Sequence, residues 1–244
     1  LSVVKENAGD KTPSMVYSFT GESSNFIHAR KVVLHEGRYD VSVSDTILKK
    51  DNTITEKVYP YAVILRNDAP VESGFMTYAY LGPVFSLDSD KYMKLSFEDL
   101  NEGPFQEKSS GGWVALIQHY FLSAWVPNQQ NKYLYRASKN NKGLYSVGYV
   151  GETATLSSGE RMESSNTLFI GPKMPENLNL VHKDLGLAVD YGWLFWLGKP
   201  LYWVLNLGFS LFNNWGLAII FLTVCLKVLL WPLSAAAYKS MAKM

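Results

Sequence analysis

Three polar residues stand out in the long apolar run near the C-terminus, where a polar side chain needs a physical reason. Lys227 interrupts a stretch, residues 215–237, that is long enough to cross a hydrocarbon core of about 30 Å as a helix. A lysine at that depth costs on the order of 2.5–3.5 kcal/mol on insertion scales, so it is a functional candidate. At 100° per residue, Thr223, Lys227 and Ser234 fall within about 60° of one another. They predict a polar stripe lining a wet cavity between helices, where the ammonium attracts acidic groups of a passing polypeptide or another anion.

Snorkelling is the alternative interpretation of Lys227. Trp231 follows four residues later, about 6 Å along the helix axis, and the flexible lysine stem could carry the ammonium to the headgroups. Snorkelling does not require Thr223 and Ser234 to share the face of Lys227. Pro232 predicts a local kink, which a membrane helix tolerates.

An aromatic segment precedes this helix. Between residues 193 and 212, Lys199, Pro200 and Asn206 interrupt the apolar pattern, so the sequence does not predict a second crossing there. Rings with polar tips prefer the headgroup level, which favours a helix lying in the membrane interface, followed by a turn at Asn213-Asn214. The tryptophans expected at the membrane interface are Trp193, Trp196, Trp203, Trp215 and Trp231.

Charge is distributed unevenly along the chain. The first 190 residues contain 19 basic and 22 acidic residues, whereas residues 191–244 contain four lysines and no acidic residue. Lys239 and Lys243 directly follow the apolar helix, so the positive-inside rule predicts a cytoplasmic C-terminal end. The preceding domain is then expected in the periplasm of a bacterium, or outside a cell with one membrane.

Residues 15–170 read as short β-strands divided by turn clusters, which indicates a mainly β domain of the sandwich type. The clearest strand is 39–47, where Val41, Val43 and Ile47 alternate with polar residues and only Asp45 departs from the pattern. A helix is predicted at 175–185, with Pro175 in its first turn. The other predicted strands are 26–34, 57–65, 76–87, 92–97, 113–125, 133–137, 144–150 and 167–171.

Several classes of function receive no support from the residues. The net charge is +1 and no basic stripe is present, which argues against a nucleic-acid partner. The single cysteine, Cys225, excludes a disulfide framework. The sequence contains no nucleophile elbow, P-loop or dinucleotide fingerprint, so no enzyme activity, metal or cofactor is predicted.

The histidines and acidic residues do not predict a metal site or a catalytic site. The four histidines are dispersed, without metal-ligand spacing, and are interpreted as structural. Four carboxylates could meet in a cleft, but such charge-rich loops more often form a solvated face. The histidines are His28, His35, His119 and His182, and the carboxylates are Asp88, Asp90, Glu98 and Asp99.

Four segments carry a resemblance to a known family. They are GGWVALIQHYF at 111–121, VDYGW at 189–193, NWG at 214–216 and WPLSAAAYKSMAKM at 231–244. In these segments the chain resembles the YidC membrane protein insertases of Gram-negative bacteria, which are related to the mitochondrial Oxa1-type insertases. The stretch from Val189 onward is the most specific part, whereas residues 1–110 match only in general β-domain character.

The resemblance implies a domain organisation. A periplasmic β-supersandwich similar to galactose mutarotases is expected at 1–188, an interfacial amphipathic helix at 189–214, the second transmembrane helix at 215–237 and the start of a cytoplasmic region at 238–244. The first residues show no signal peptide or membrane anchor. We therefore expect a fragment of a multi-pass protein of the bacterial inner membrane.

The resemblance also implies a function. Lys227 falls where the family places a basic residue in a hydrophilic groove that receives the polar part of a client. Relatives commonly carry Arg there, so Lys keeps the charge and loses the planar bidentate fork. The implied partners are nascent membrane proteins, the Sec translocon and the lipid bilayer, and no cofactor is implied.

Two other classes of function stay open from the residues alone. One is a membrane-anchored carbohydrate-binding or mutarotase-like periplasmic protein, which a sugar cleft lined by carboxylates and a histidine would distinguish. The other is a transporter or channel subunit in which Lys227 belongs to an ion path, which would require charged partners on further helices.

Overall fold

The chain forms two units. The computed structural model describes residues 2–7, 14–50, 54–67, 80–190 and 195–241. The β unit comprises Leu1–Val189 and the helical unit comprises Asp190–Met244.

Antiparallel sheets build the β unit. The described strands form a nine-stranded sheet in the order β1-β2-β3-β4-β15-β11-β10-β7-β8, a four-stranded sheet in the order β6-β13-β12-β9, and the pair β14-β5. The strands are β1 Ser2–Asn7, β2 Ser14–Glu22, β3 Phe26–His35, β4 Asp40–Lys49, β5 Glu56–Val58, β6 Tyr61–Arg66, β7 Gly82–Ser86, β8 Met93–Lys94, β9 Phe105–Ser110, β10 Trp113–Ile117, β11 Phe121–Val126, β12 Lys132–Lys139, β13 Tyr145–Gly151, β14 Ala154–Leu156 and β15 Arg161–Pro172.

Helices are short in the β unit and long in the helical unit. The β unit contains α1 Phe97–Glu102, α2 Pro175–Val181 and a 3₁₀ helix at Leu185–Ala188. The helical unit contains α3 Phe195–Phe212 and α4 Trp215–Met241. The mainly β fold class predicted from the sequence is confirmed.

Two hydrophobic cores lie on opposite faces of strand β10. Val114 packs between the two large sheets with Phe85, Tyr135 and Tyr149. Trp113 points to the other face, which α2 and the 3₁₀ helix cover. All five residues of β10 are buried, which explains why this strand reads as a continuous apolar run instead of an alternating one.

Turns divide two of the predicted strands. The strand predicted at 113–125 is a hairpin of β10 and β11, closed where the Gln118 N–H donates to the Phe121 carbonyl at 2.8 Å. The strand predicted at 57–65 is two strands, because Pro60 lacks the N–H that a ladder needs.

Helix capping corrects a third prediction. The strand predicted at 92–97 contains only β8, because Phe97 begins α1. Ser96 accepts from the Asp99 N–H at 3.0 Å while the Asp99 carboxylate accepts from the Ser96 N–H at 2.8 Å. This capping box is visible in the sequence as Ser-Phe-Glu-Asp, so α1 was predictable.

Three further differences concern element ends and omissions. The helix predicted at 175–185 ends at Val181 and is followed by the 3₁₀ helix. Residues 76–79 of the strand predicted at 76–87 lie outside the described residues. Strands β1, β2, β9 and β14 and the first half of β15 were not predicted.

Candidate functional site: a polar stripe on an apolar helix

Two asparagines form the junction between α3 and α4. Asn213 adopts φ +48°, a left-handed conformation that asparagine tolerates and that ends α3. The Asn214 side-chain oxygen accepts from the backbone N–H groups of Gly216 at 2.8 Å and Leu217 at 3.2 Å. Asn214 is therefore the N-cap of α4, and the turn predicted at Asn213-Asn214 is confirmed.

Small residues let α3 and α4 approach closely beside this junction. A Cβ atom added to Gly208 would lie 3.0 Å from Cδ1 of Phe221 and 3.1 Å from Cα of Ala218. The Phe209 and Trp215 rings stack with centroids 4.1 Å apart. Close approach at small residues is the packing mode that helices use in membranes, where no hydrophobic effect drives them together.

Helix α3 covers one side of α4, and the polar stripe lies on the other. Thr223, Lys227 and Ser234 are all exposed. The buried and partly buried residues of α4 between positions 218 and 226 are centred about 150° around the helix from the stripe, at 3.6 residues per turn. Those residues are Ala218, Phe221, Leu222, Cys225 and Leu226.

Thr223 and Lys227 differ in their hydrogen bonding. The Thr223 hydroxyl donates to the Ile220 carbonyl of its own helix at 2.7 Å, so it is left to accept from outside. Lys227 makes neither an ion pair nor a hydrogen bond with any residue that the structure describes. The ammonium is thus the free charge of the stripe, about 6 Å of helical rise beyond Thr223.

The rest of α4 is apolar and exposed. The segment Trp215–Pro232 has a mean hydropathy of 2.0 over 18 residues and is the one described helical segment apolar and long enough to cross a membrane. Pro232 does not end the helix, which continues to Met241. The 27 residues of α4 rise about 40 Å, more than the roughly 30 Å of a hydrocarbon core.

The described tryptophans of this unit are all exposed. Trp196 and Trp203 lie seven residues apart and therefore on the same side of α3, while Trp215 and Trp231 mark two levels of α4. Trp193 lies outside the described residues.

A second polar cluster, on the nine-stranded sheet, was missed by the sequence analysis. Asp45 accepts from Arg30 Nε at 2.7 Å and Nη2 at 3.1 Å, and lies 2.7 Å from Nε2 of His28. The sequence contained a signal for this cluster. Asp45 occupies a position of β4 where the alternation predicts an apolar residue, so its side chain shares a face with Val43 and Ile47. His28, interpreted as structural, lies beside a cavity.

The four carboxylates considered in the sequence do not form a common cleft. Asp88 accepts from the Ser110 N–H at 2.8 Å, and this hydrogen bond holds the pKa of the Asp88 carboxyl below its usual value. Asp99 acts in the α1 capping box, which likewise lowers its pKa. Within the described ranges, no group of three His, Cys, Asp or Glu residues is placed to hold a metal ion.

His182 has a structural environment. Its Nδ1 accepts from the Asp184 N–H at 3.2 Å and its Nε2 lies 3.1 Å from the Gln129 side-chain oxygen, so the neutral ring with a proton on Nε2 fits both contacts. Burial lowers the pKa of His182. Gln129 in turn binds the N–H and the carbonyl of Gly112 and so connects α2 to the start of β10.

The fold and the site define a class: an antiparallel β-sandwich followed by an apolar helix of membrane-spanning length, in which the Lys227 ammonium has no partner among the described residues. Comparison with known families agrees with this description. The family model of the YidC periplasmic domain matches residues 3–204. The chain belongs to the YidC family.

Curated relatives extend the match into α4. Proteins named membrane protein insertase YidC are 40% identical over 214 residues in Marinomonas sp. (strain MWYL1) and 35% identical over 224 residues in Haemophilus influenzae. These alignments cover 86% and 91% of this chain but 38% and 41% of the relatives. The chain therefore spans about two-fifths of the length of the curated relatives it matches.

Solved structures share the fold of the β unit at low sequence identity. The GH36 α-galactosidases AgaA and AgaB of Geobacillus stearothermophilus each give a TM-score of 0.54, with 10% and 9% identity. The aligned regions cover 74% and 76% of this chain and 29% of each enzyme. This similarity concerns the fold alone.

Proposed function

We propose that this chain is part of an insertase and chaperone that inserts and folds nascent proteins in the bacterial inner membrane, alone or with the Sec translocon. The names of its relatives support the general function. The observation that carries the mechanism is the free ammonium of Lys227 on the side of α4 opposite α3, in line with Thr223 and Ser234.

Lys227 acts by electrostatic attraction in a medium of reduced dielectric constant. Two unit charges 4 Å apart attract by about 1 kcal/mol in water and by about 4 kcal/mol at an effective dielectric constant of 20. An acidic segment of a client therefore gains more from Lys227 inside the membrane than at its surface. The client's apolar helix then moves sideways into lipid, and this step needs no catalytic group or cofactor.

The hydroxyl groups of Thr223 and Ser234 add hydrogen-bonding capacity beside the charge of Lys227. A client segment that enters the membrane brings backbone polar groups, each of which costs several kcal/mol if it is left without a hydrogen bond. Thr223 and Ser234 offer hydroxyl oxygens on the same side as Lys227. The three residues thus form one wall of a hydrophilic groove, and helices elsewhere in the full-length protein form the others.

Topology follows from the same features. We place α4 across the membrane with the β unit in the periplasm, because the lysines beyond α4 favour a cytoplasmic end. We place α3 in the periplasmic interface, because Trp196 and Trp203 lie on one exposed side of the helix and Lys199 and Pro200 interrupt its apolar sequence pattern. Depth-dependent fluorescence quenching should find both tryptophans equally shallow, and one of them at the bilayer centre would contradict this placement.

Site-specific crosslinking tests the proposed groove. A photo-crosslinking residue at position 227 of the full-length protein should capture a nascent client, whereas the same residue at Leu229 should capture lipid. Leu229 is exposed at nearly the same depth and lies about 140° around α4 from the stripe. Equal capture of client at both positions, or no capture at 227, would leave snorkelling as the better account of Lys227.

A further inference from the structure

A groove in the β unit carries polar groups that the proposed insertase mechanism does not use. It has a volume of about 480 Å³ and lies on the face of the nine-stranded sheet beside strand β6. Strands β3, β4, β15 and β11 supply its floor, and Trp125 forms part of that floor. Tyr59 and Tyr61, with ring centroids 6.4 Å apart, form an exposed aromatic wall.

The charged groups of this groove neutralise one another. Arg30 and Asp45 form a bidentate ion pair, and His28 contacts the same carboxylate. They are the only charged or titratable groups, tyrosine apart, among the described lining residues. Arg30 uses two of its five N–H groups on Asp45, so three stay available as fixed donors. An anionic ligand gains little here, because Asp45 already balances the guanidinium.

Asn166 shows that the groove has unmet hydrogen-bonding capacity. Its side chain lines the groove with only 9% of the residue exposed. The side-chain amide makes no hydrogen bond with any residue in the described part of the chain. Buried polar groups are normally paired, and Asn166 offers both a donor and an acceptor toward the cavity.

We propose that this groove binds an uncharged polyhydroxylated ligand of the sugar class. Such a ligand both donates and accepts, so it can pair with the Asn166 amide and with the free N–H groups of Arg30. Its apolar ring faces can stack on Tyr61 and Tyr59. A purely apolar ligand would leave Asn166 and the ion pair without partners. The binding activity is additional to the proposed insertase function, because it uses other residues on the other unit.

Saturation-transfer NMR tests this proposal directly. Maltotriose, cellotriose and chitotriose serve as neutral probes against the full chain in detergent micelles. At least one should receive saturation on its ring protons, with a dissociation constant in the millimolar range or tighter. Asn166→Ala and Tyr61→Ala should each weaken that binding about tenfold, the usual effect of losing one hydrogen bond or one stacking contact.

The matched control is Ser165→Ala. Ser165 is next to Asn166 on β15 but lies on the opposite face of the sheet, so binding should not change. Tyr61 is exposed, so Tyr61→Ala keeps the test decisive if Asn166→Ala fails to fold. Absence of saturation transfer to all three saccharides would overturn the proposal. So would equal binding by the three variants, or binding of an uncharged Gly-Ser peptide with no saccharide binding.

Discussion

Lys49 in the β unit is buried and Lys227 in the helical unit lies on an apolar helix, but only Lys49 has a partner among the described residues. The Lys49 side chain is fully buried, and its ammonium lies 2.8 Å from Glu56 and 5.0 Å from the centre of the Phe26 ring. Lys227 is exposed and binds no described residue. A buried charge with a partner has a structural role, whereas a free charge on an apolar surface is a candidate for binding another molecule.

Apolar side chains show the same contrast. The β unit buries its large residues, such as Trp113 and Phe85, which are completely inaccessible. The helical unit exposes Trp231 and Leu229 along α4. Contiguous exposed apolar surface of this kind is rare on proteins that meet only water. This contrast supports the proposal that the β unit lies in an aqueous compartment and α4 in lipid.

The largest expected effect tests how tightly the β unit is packed. Gly112 adopts φ +89°, and a Cβ atom there would collide with the Ser86 carbonyl oxygen. Gly112→Ala should lower the free energy of unfolding of the β unit by more than about 3 kcal/mol, because strain and a backbone collision add. Urea unfolding followed by near-UV circular dichroism measures this.

Gly143→Ala provides the matched control. Gly143 also has a positive φ, +82°, but nothing lies within 4 Å of the added Cβ. Only the conformational strain is then expected, about 1 kcal/mol. Similar losses for the two variants would show that the sheet can move away from Gly112 and that the core is looser than described.

Two buried tyrosines give an effect of intermediate size. The Tyr135 hydroxyl donates to the Gly111 carbonyl at 2.6 Å, whereas the Tyr149 hydroxyl is buried without a partner among the described residues. Tyr135→Phe should cost about 1–2 kcal/mol of unfolding free energy, and Tyr149→Phe should be neutral or stabilising. A similar cost for both variants would mean that Tyr149 has a hydrogen-bond partner after all.

Much of the fold was predictable from local sequence signals. The turn at Asn213-Asn214 was visible because both residues favour left-handed and capping conformations. The alternation in β4 located that strand to within a few residues. The apolar run at 215–237 predicted a helix, and α4 covers it completely.

Other features could not be predicted, because they depend on contacts between residues that are far apart in the sequence. Asp40 belongs to the polar set of the alternation in β4, yet it is buried. Its cross-strand neighbour is Phe169 of β15, more distant in the sequence than Arg38, which binds its carboxylate at 2.7 and 2.8 Å. The groove beside β6 combines Arg30 and Asp45 of the consecutive strands β3 and β4 with Asn166 of β15, which joins them only in the folded sheet. The alternation of apolar and polar residues within one strand does not predict which residues of different strands come together.

The smallest expected effect is a pH dependence of the β unit. Burial lowers the pKa of His182 below its usual 6.5, so the unfolded chain binds more protons below that pH. The stabilising contribution is complete above pH 6.5 and is lost as the pH falls through the lower pKa of the folded state. The loss should be well below the limit of about 1.4 kcal/mol per pH unit for one proton, because solvent screens the half-buried ring.

Comparison with His182→Gln isolates this contribution. Unfolding free energies of the two proteins between pH 7.5 and 5.0, chosen to bracket the usual pKa of about 6.5, should converge as the pH falls. A constant difference across this range would mean that the neutral ring of His182 is not what connects Gln129 to Asp184.

The most direct test of the central claim is the insertion yield of an acidic client and its neutralised version in cells carrying variants of the full-length protein. Lys227→Ala should leave the protein present but lower the yield of the acidic client several-fold more than that of the neutral one. Lys227→Arg should retain both yields, because the charge remains. Leu229→Ala, on the other side of α4, should change neither. Equal loss of both clients, loss of the protein itself, or unchanged insertion with Lys227→Ala would contradict the account.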